Sequence, residues 1–260
     1  MSKASRNRDI ARAKVAAMRE HEARQARQRR IYLAMGAGVL AIVAAVGIVV
    51  AVTTGSNSPG TTGSHPVLNT APLSSLGPLK TAPNPGTNGF EGVPIPSVAP
   101  LASTSNGAKG GKVDGISCQR NEQLIFHIHS HLVLFVNGAQ RQVAGGIGIP
   151  GSKVVSSPQG PAASGGTCLY WLHTHAPDGI IHVESPIHRT YTLGDFFDEW
   201  GQPLGPSVLG PYKGNVVAIY NGKRYIGNPR DIPLNSHAQI QLEVGKPLVA
   251  PQAITWPSGL

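Results

Sequence analysis

The sequence predicts an all-β sandwich or barrel with one short helix, preceded by a single transmembrane helix and a disordered linker. The β domain is announced by residues 123–138, QLIFHIHSHLVLFVNG, an apolar run ending on an Asn-Gly pair that accepts the positive φ of a tight hairpin turn. The membrane helix is announced by 22 uncharged residues, 31–52. The linker is announced by residues 53–112, with nine prolines, ten glycines and a single aromatic, Phe90. Four segments follow: a basic cytoplasmic segment 1–30, the helix 31–52, the linker 53–112 and a histidine-rich domain 113–260.

Charge supports this division. Residues 1–30 carry ten Lys or Arg against Asp9, Glu20 and Glu22, a net +7, leaving only +2 of the formal +9 for the other 230 residues. No specific nucleic-acid binding is expected, because the positive charge sits beside the apolar run and not on the domain. At 1.5 Å per residue, 22 residues cross a hydrocarbon core of about 30 Å. The basic block before them keeps the N-terminus inside and places the later residues in the extracytoplasmic space of a bacterial envelope. Both the apolar run and the basic segment would contact membrane lipid. A cleaved signal peptide fits less well, since its apolar core is shorter and its leading region briefer. The Pro/Gly/Ser/Thr-rich linker has too little apolar area to offset its own ordering entropy.

In the domain, strands are expected over residues 123–136, 169–175, 180–185, 216–220, 224–226 and 238–244. Hairpin turns are expected at Asn137-Gly138 and Asn221-Gly222. One helix is expected over 193–200, with Thr192 as N-cap, Asp195 closing a capping box and Gly201 as stop. Its Leu193, Phe196, Phe197 and Trp200 share one face. Cys118 and Cys168, the only cysteines, both lie on the side assigned to the outside, where two thiols in one domain form a disulfide. Closing that 50-residue loop is worth about 4 kcal/mol.

Side chains alternate along a strand, so His127, His129 and His131 project from one face and Leu132, Leu134 and Val136 from the other. In CLYWLHTHAPDGIIHVESP, His173 and His175 share a face with Leu169 and Trp171, and His182 shares one with Glu184. A four-residue loop, Ala176 to Gly179, sets His173 opposite His182. A three-residue loop with a glycine bulge would turn His182 to the far side. The four-residue loop alone segregates polar from apolar faces. His188 is at most a neighbour of the cluster, and His237, with Gln239, Gln241 and Glu243 beyond it, reads as exposed.

His127, His129, His131, His173, His175, His182 and Glu184 are therefore the candidate metal ligands, since neutral imidazole is the commonest protein ligand for transition metals. All three methionines lie before or within the apolar run. The outer domain thus offers no soft ligand, and imidazoles with a carboxylate suit Zn or Cu(II), with Fe(II) and Ni(II) also compatible. No nucleotide or haem motif occurs. The alternative is a histidine-lined groove that binds nothing.

The block from HIHSHLVLFVNG through CLYWLHTHAPDGIIHVESP to YTLGDFFDEWG resembles an uncharacterised group of bacterial membrane-anchored, histidine-rich extracytoplasmic proteins. That resemblance brings no function with it. Cupin, metallo-β-lactamase and copper-zinc superoxide dismutase ligand patterns do not fit.

Three functions are compatible with these residues. The first is a membrane-tethered domain that captures or handles Zn or Cu(II) at the cell surface. The second is a metal-dependent hydrolase or oxidoreductase using the same site, with Glu184 as general base. The third is a structural or pH-sensing envelope protein without metal.

Overall fold

The computed structural model describes residues 68–158 and 160–260. The basic segment, the expected transmembrane helix and the first part of the linker lie outside the described residues. Among the described residues, no helix is long and apolar enough to cross a membrane.

The domain is mostly β-sheet with one α-helix. Its main sheet has eight strands: β1 (Thr70–Ala71), β2 (Phe126–Val136), β3 (Ala139–Arg141), β4 (Leu172–His173), β5 (Ile180–Ser185), β6 (Val216–Tyr220), β7 (Lys223–Tyr225) and β8 (Ala238–Val244). They run in the open order β1-β7-β6-β8-β2-β5-β4, with β3 also paired to β2. All pairings are antiparallel except β2 with β8, where Leu132 sits beside Ile240 and Leu134 beside Leu242. Asn137 and Gly138 close the β2–β3 hairpin with φ of 50° and 71°, and Asn221 and Gly222 close β6–β7 with 48° and 73°. Both Asn-Gly turns thus adopt the left-handed backbone that their sequence favours.

One face of the sheet is the main core. Leu132, Leu134 and Val136 of β2, Leu172 of β4, Ile181 and Val183 of β5 and Ile240 and Leu242 of β8 pack there with Phe196, Phe197 and Trp200 of helix α1 (Leu193–Trp200). The helix starts where the capping box places it. Thr192 Oγ1 accepts from the Asp195 amide at 3.2 Å, and Asp195 Oδ2 accepts from the Thr192 amide at 2.9 Å. Gly201 ends it at φ 68°, where a Cβ would lie 2.1 Å from the Asn106 carbonyl oxygen.

Several expected elements need correction. The strand expected over 169–175 is broken at Trp171: Leu169–Tyr170 pairs with Cys118–Gln119, and only Leu172–His173 joins the main sheet. Trp171 packs into the main core and not beside His173. The strand stops at His173 because the Thr174 hydroxyl is taken by a loop: it donates to the Ala144 carbonyl and accepts from the Ile147 amide.

The linker boundary also moves. Residues 68–112, expected as disordered spacer, belong to the domain: β1 adds to β7, Thr87–Asn88 pairs with Pro94–Ile95, and Val93 and Leu101 are buried. Their composition cannot build a core of its own, but it need not. This extended strap lies on apolar surface made by the sheet, and its backbone is satisfied by exchange with the C-terminal segment, Lys80 with Leu248 and Ala250.

The second sheet face lies under these straps, with Val133 and Phe135 packed against Val249 and Ala82. Gln241 and Glu243, expected on a solvent face, are buried there. Gln241 Nε2 donates to the Val249 carbonyl, Gln241 Oε1 accepts from the Gln252 amide, and Glu243 Oε2 accepts from the Val249 amide. Their side chains replace a strand partner for the C-terminal segment.

Candidate metal centre

The site sits on the strap-covered face, at the end of the sheet where β2, β5 and β4 are adjacent. Register decides its composition. His129 pairs with His182 and His127 with Glu184 across β2–β5, and His182 pairs with His173 across β5–β4. The second pairing is the one expected from the four-residue loop. The row His173, His182, His129 thus spans three strands, with Glu184 and His127 forming the next row on the same face.

Four donor atoms converge. His127 Nε2 and His129 Nε2 are 3.1 Å apart, and His129 Nε2 and His182 Nδ1 are also 3.1 Å apart. Glu184 Oε1 lies 3.2 Å from His127 Nε2 and 3.5 Å from His182 Nδ1. A tetrahedral ion with donors at 2.0–2.1 Å has ligand–ligand edges of about 3.3 Å, and these four distances are close to that length. A second group adjoins it: His173 Nε2 is 3.2 Å from His175 Nε2 and 3.9 Å from Glu184 Oε2. Donor atoms of His173, His175, His182 and Glu184 all fall within 4.8 Å of one another, as do those of His127, His129 and His182.

Sequence reasoning missed Glu91. It sits on the turn between Thr87–Asn88 and Pro94–Ile95, within the expected linker, and its Oε1 lies 2.6 Å from His182 Nε2. A carboxylate can only accept, so His182 Nε2 carries hydrogen and Nδ1 is turned to the other donors. This is the arrangement by which an outer carboxylate orients a metal-binding imidazole. Nothing in a Pro/Gly-rich segment marks one glutamate as part of a site 91 residues away.

The charges are coupled locally. Burial alone would lower the His182 pKa, but the Glu91 carboxylate, with Glu184, overrides it and raises it to about 10. Burial opposes ionisation of Glu184 too, yet hydrogen bonds from His127 and His182 hold its carboxyl well below the usual range. Burial dominates at His173 and His175, lowering them to about 4 and about 3, so both are neutral and carry a lone pair at neutral pH. Asp178, beside Glu91, is pushed well above the carboxylate range by burial and by that neighbour.

Six of the seven expected ligands are brought together. His131 is not: it lies one row further along β2, and its Nε2 donates to the Asp178 carbonyl at 3.1 Å. Burial lowers it to about 4. His188 packs on Phe126, and exposed His237 stacks on Trp256 and bonds the Leu260 carbonyl. The disulfide is formed: Cys118 and Cys168 are joined with their Cα atoms 5.5 Å apart, at the foot of the segment that carries His173.

Fold and site together define a β-rich domain with a buried imidazole–carboxylate cluster able to hold a metal ion. No protein-family model, curated protein or solved structure matches this chain.

Proposed function

We propose that this chain binds a transition metal ion, Zn(II) or Cu(II), through His127, His129, His182 and Glu184, and that it captures or hands on metal at the outer surface of a bacterial membrane. The observation that carries the reading is the set of four edges, 3.1 to 3.5 Å, among three imidazole nitrogens and one carboxylate oxygen. Packing alone gives no reason for four donor atoms to gather at one end of a buried sheet face. The N3O donor set selects borderline ions over Mg(II) or Ca(II), which prefer oxygen. The basic block before residues 31–52 supports an anchored topology with the domain outside.

The test uses the full chain in detergent, reconstituted with Zn(II) or Cu(II) at pH 7.5 and freed of excess metal. Elemental analysis is expected to find bound ion, and His129→Ala with His182→Ala to abolish binding at this position. A wild-type chain that retains no metal after reconstitution overturns the reading. Release to a chelator without turnover marks capture and hand-on, whereas retained metal with hydrolytic or redox activity marks an enzyme.

A further inference from the structure

We propose that the centre is dinuclear: His173 Nε2, His175 Nε2 and Glu184 Oε2 hold a second ion, and the Glu184 carboxylate bridges it to the first. This rests on the metal-binding reading above and extends it to a second position. Three observations carry it. His173 and His175 present Nε2 atoms 3.2 Å apart, close to the same tetrahedral edge. Glu184 Oε2 is buried and has no hydrogen-bond partner, whereas Oε1 of the same carboxylate faces His127 and His182. A buried, unsatisfied carboxylate oxygen is costly, and a cation beside it removes that cost.

The third observation is the tautomer of His173. Its Nδ1 lies 2.9 Å from the Tyr170 carbonyl, which can only accept, so Nδ1 carries the hydrogen and Nε2 the lone pair. The ring is thereby fixed with its donor atom towards Glu184, the outer support typical of a metal-bound histidine. His182 is held in the complementary sense by Glu91, with Nε2 protonated and Nδ1 aimed at the first position. Each ring is set by a separate device, a backbone carbonyl at His173 and a carboxylate at His182, and the two sets of donors meet on opposite oxygens of one carboxylate.

The two positions differ in kind. The first has four protein donors, the number a tetrahedral ion takes. The second has three, and its outer side is formed by His175 and Glu122, whose side chains are 20% and 32% exposed and 3.6 Å apart. It therefore has room for a water or a small anionic ligand, as in two-metal sites whose ions sit about 3.5–4 Å apart.

The measurement is metal stoichiometry of the full chain in detergent, with electron paramagnetic resonance after loading with Cu(II). Two ions per chain are expected, with a spin count well below two because the bridged ions couple. His173→Ala with His175→Ala is expected to hold one ion, giving an isolated Cu(II) signal with a full spin count and an unchanged circular dichroism spectrum. One ion in the wild type, lost on changing His127 and His129 to Ala, overturns the dinuclear proposal and leaves the single-site reading intact. No ion overturns both. Two ions with two full, uncoupled spins overturn the bridge. The wild-type stoichiometry and spin count do not depend on any variant folding.

Discussion

Glu91 and His182 meet at 2.6 Å across 91 residues of chain, and that contact orients the imidazole shared by the two histidine-bearing strands β2 and β4 on either side. Glu91→Gln keeps the shape but removes the charge that holds the proton on Nε2. Loss of such an outer partner typically costs 10–100-fold in metal affinity. Competition with a chromogenic chelator should show a loss in that range, with the thermal melt of the metal-free chain shifted far less than for His182→Ala. Unchanged affinity would remove Glu91 from the site.

The strap that delivers Glu91 also stabilises the domain. A chain beginning at residue 113 loses buried Val93 and Leu101 as well as β1. At about 2 kcal/mol for each of the two side chains, and about 2–4 °C per kcal/mol, its midpoint should fall by about 10 °C or more relative to a chain beginning at residue 66. Differential scanning calorimetry of the two chains checks this. Equal midpoints would mean that residues 68–112 lie on the domain without stabilising it.

Acid should unfold the metal-free protein early. His131, His173 and His175 have folded pKa values of about 4, about 4 and about 3, each lowered from 6.5 chiefly by burial. Between pH 6.5 and 4 the unfolded chain binds these protons and the folded one does not, so the stability these three rings contribute is complete above this window and is lost as pH falls through it. Three protons correspond to a slope on the order of 4 kcal/mol per pH unit. His182, raised to about 10, is protonated in both states there and adds no slope. Urea titrations at pH 4.5, 5.5 and 6.5 should show this trend, and His131→Gln should remove about a third of it. A flat profile would contradict the burial of these rings in the neutral form.

Cys118 and Cys168 close a loop of 50 residues, so reduction, or Cys118→Ser with Cys168→Ser, should cost about 4 kcal/mol. Of the two paired segments, Leu169–Tyr170 runs into β4 after one residue, whereas six residues separate Cys118–Gln119 from β2. Metal affinity at His173 and His175 should therefore fall with the bridge, while His127 and His129, on the interior strand β2, should be less affected. Chelator competition before and after reduction separates the two.

Much of the domain was legible locally. The Thr192–Asp195 capping box, the two Asn-Gly turns, strands β5, β6 and β8 and the disulfide follow from signals contained in a few residues each. The period-two spacing of His127, His129 and His131 likewise determined a histidine face on β2, and Pro177-Asp178-Gly179 narrowed the hairpin to two registers. What the tertiary structure alone decided is which of those rings share an ion. His131 has the same spacing as its neighbours but pairs with Ile180 and bonds the Asp178 carbonyl. Glu91 and the strap around it carry no local signal, because proline-rich chain gains order only from a surface it does not itself encode. Gln241 and Glu243 look solvated in sequence and are buried because the C-terminal segment needs their side chains as hydrogen-bond partners. Local spacing fixes the face a side chain occupies; the identity of its neighbours depends on strand register and on segments far away in the chain, and a metal centre is made of neighbours.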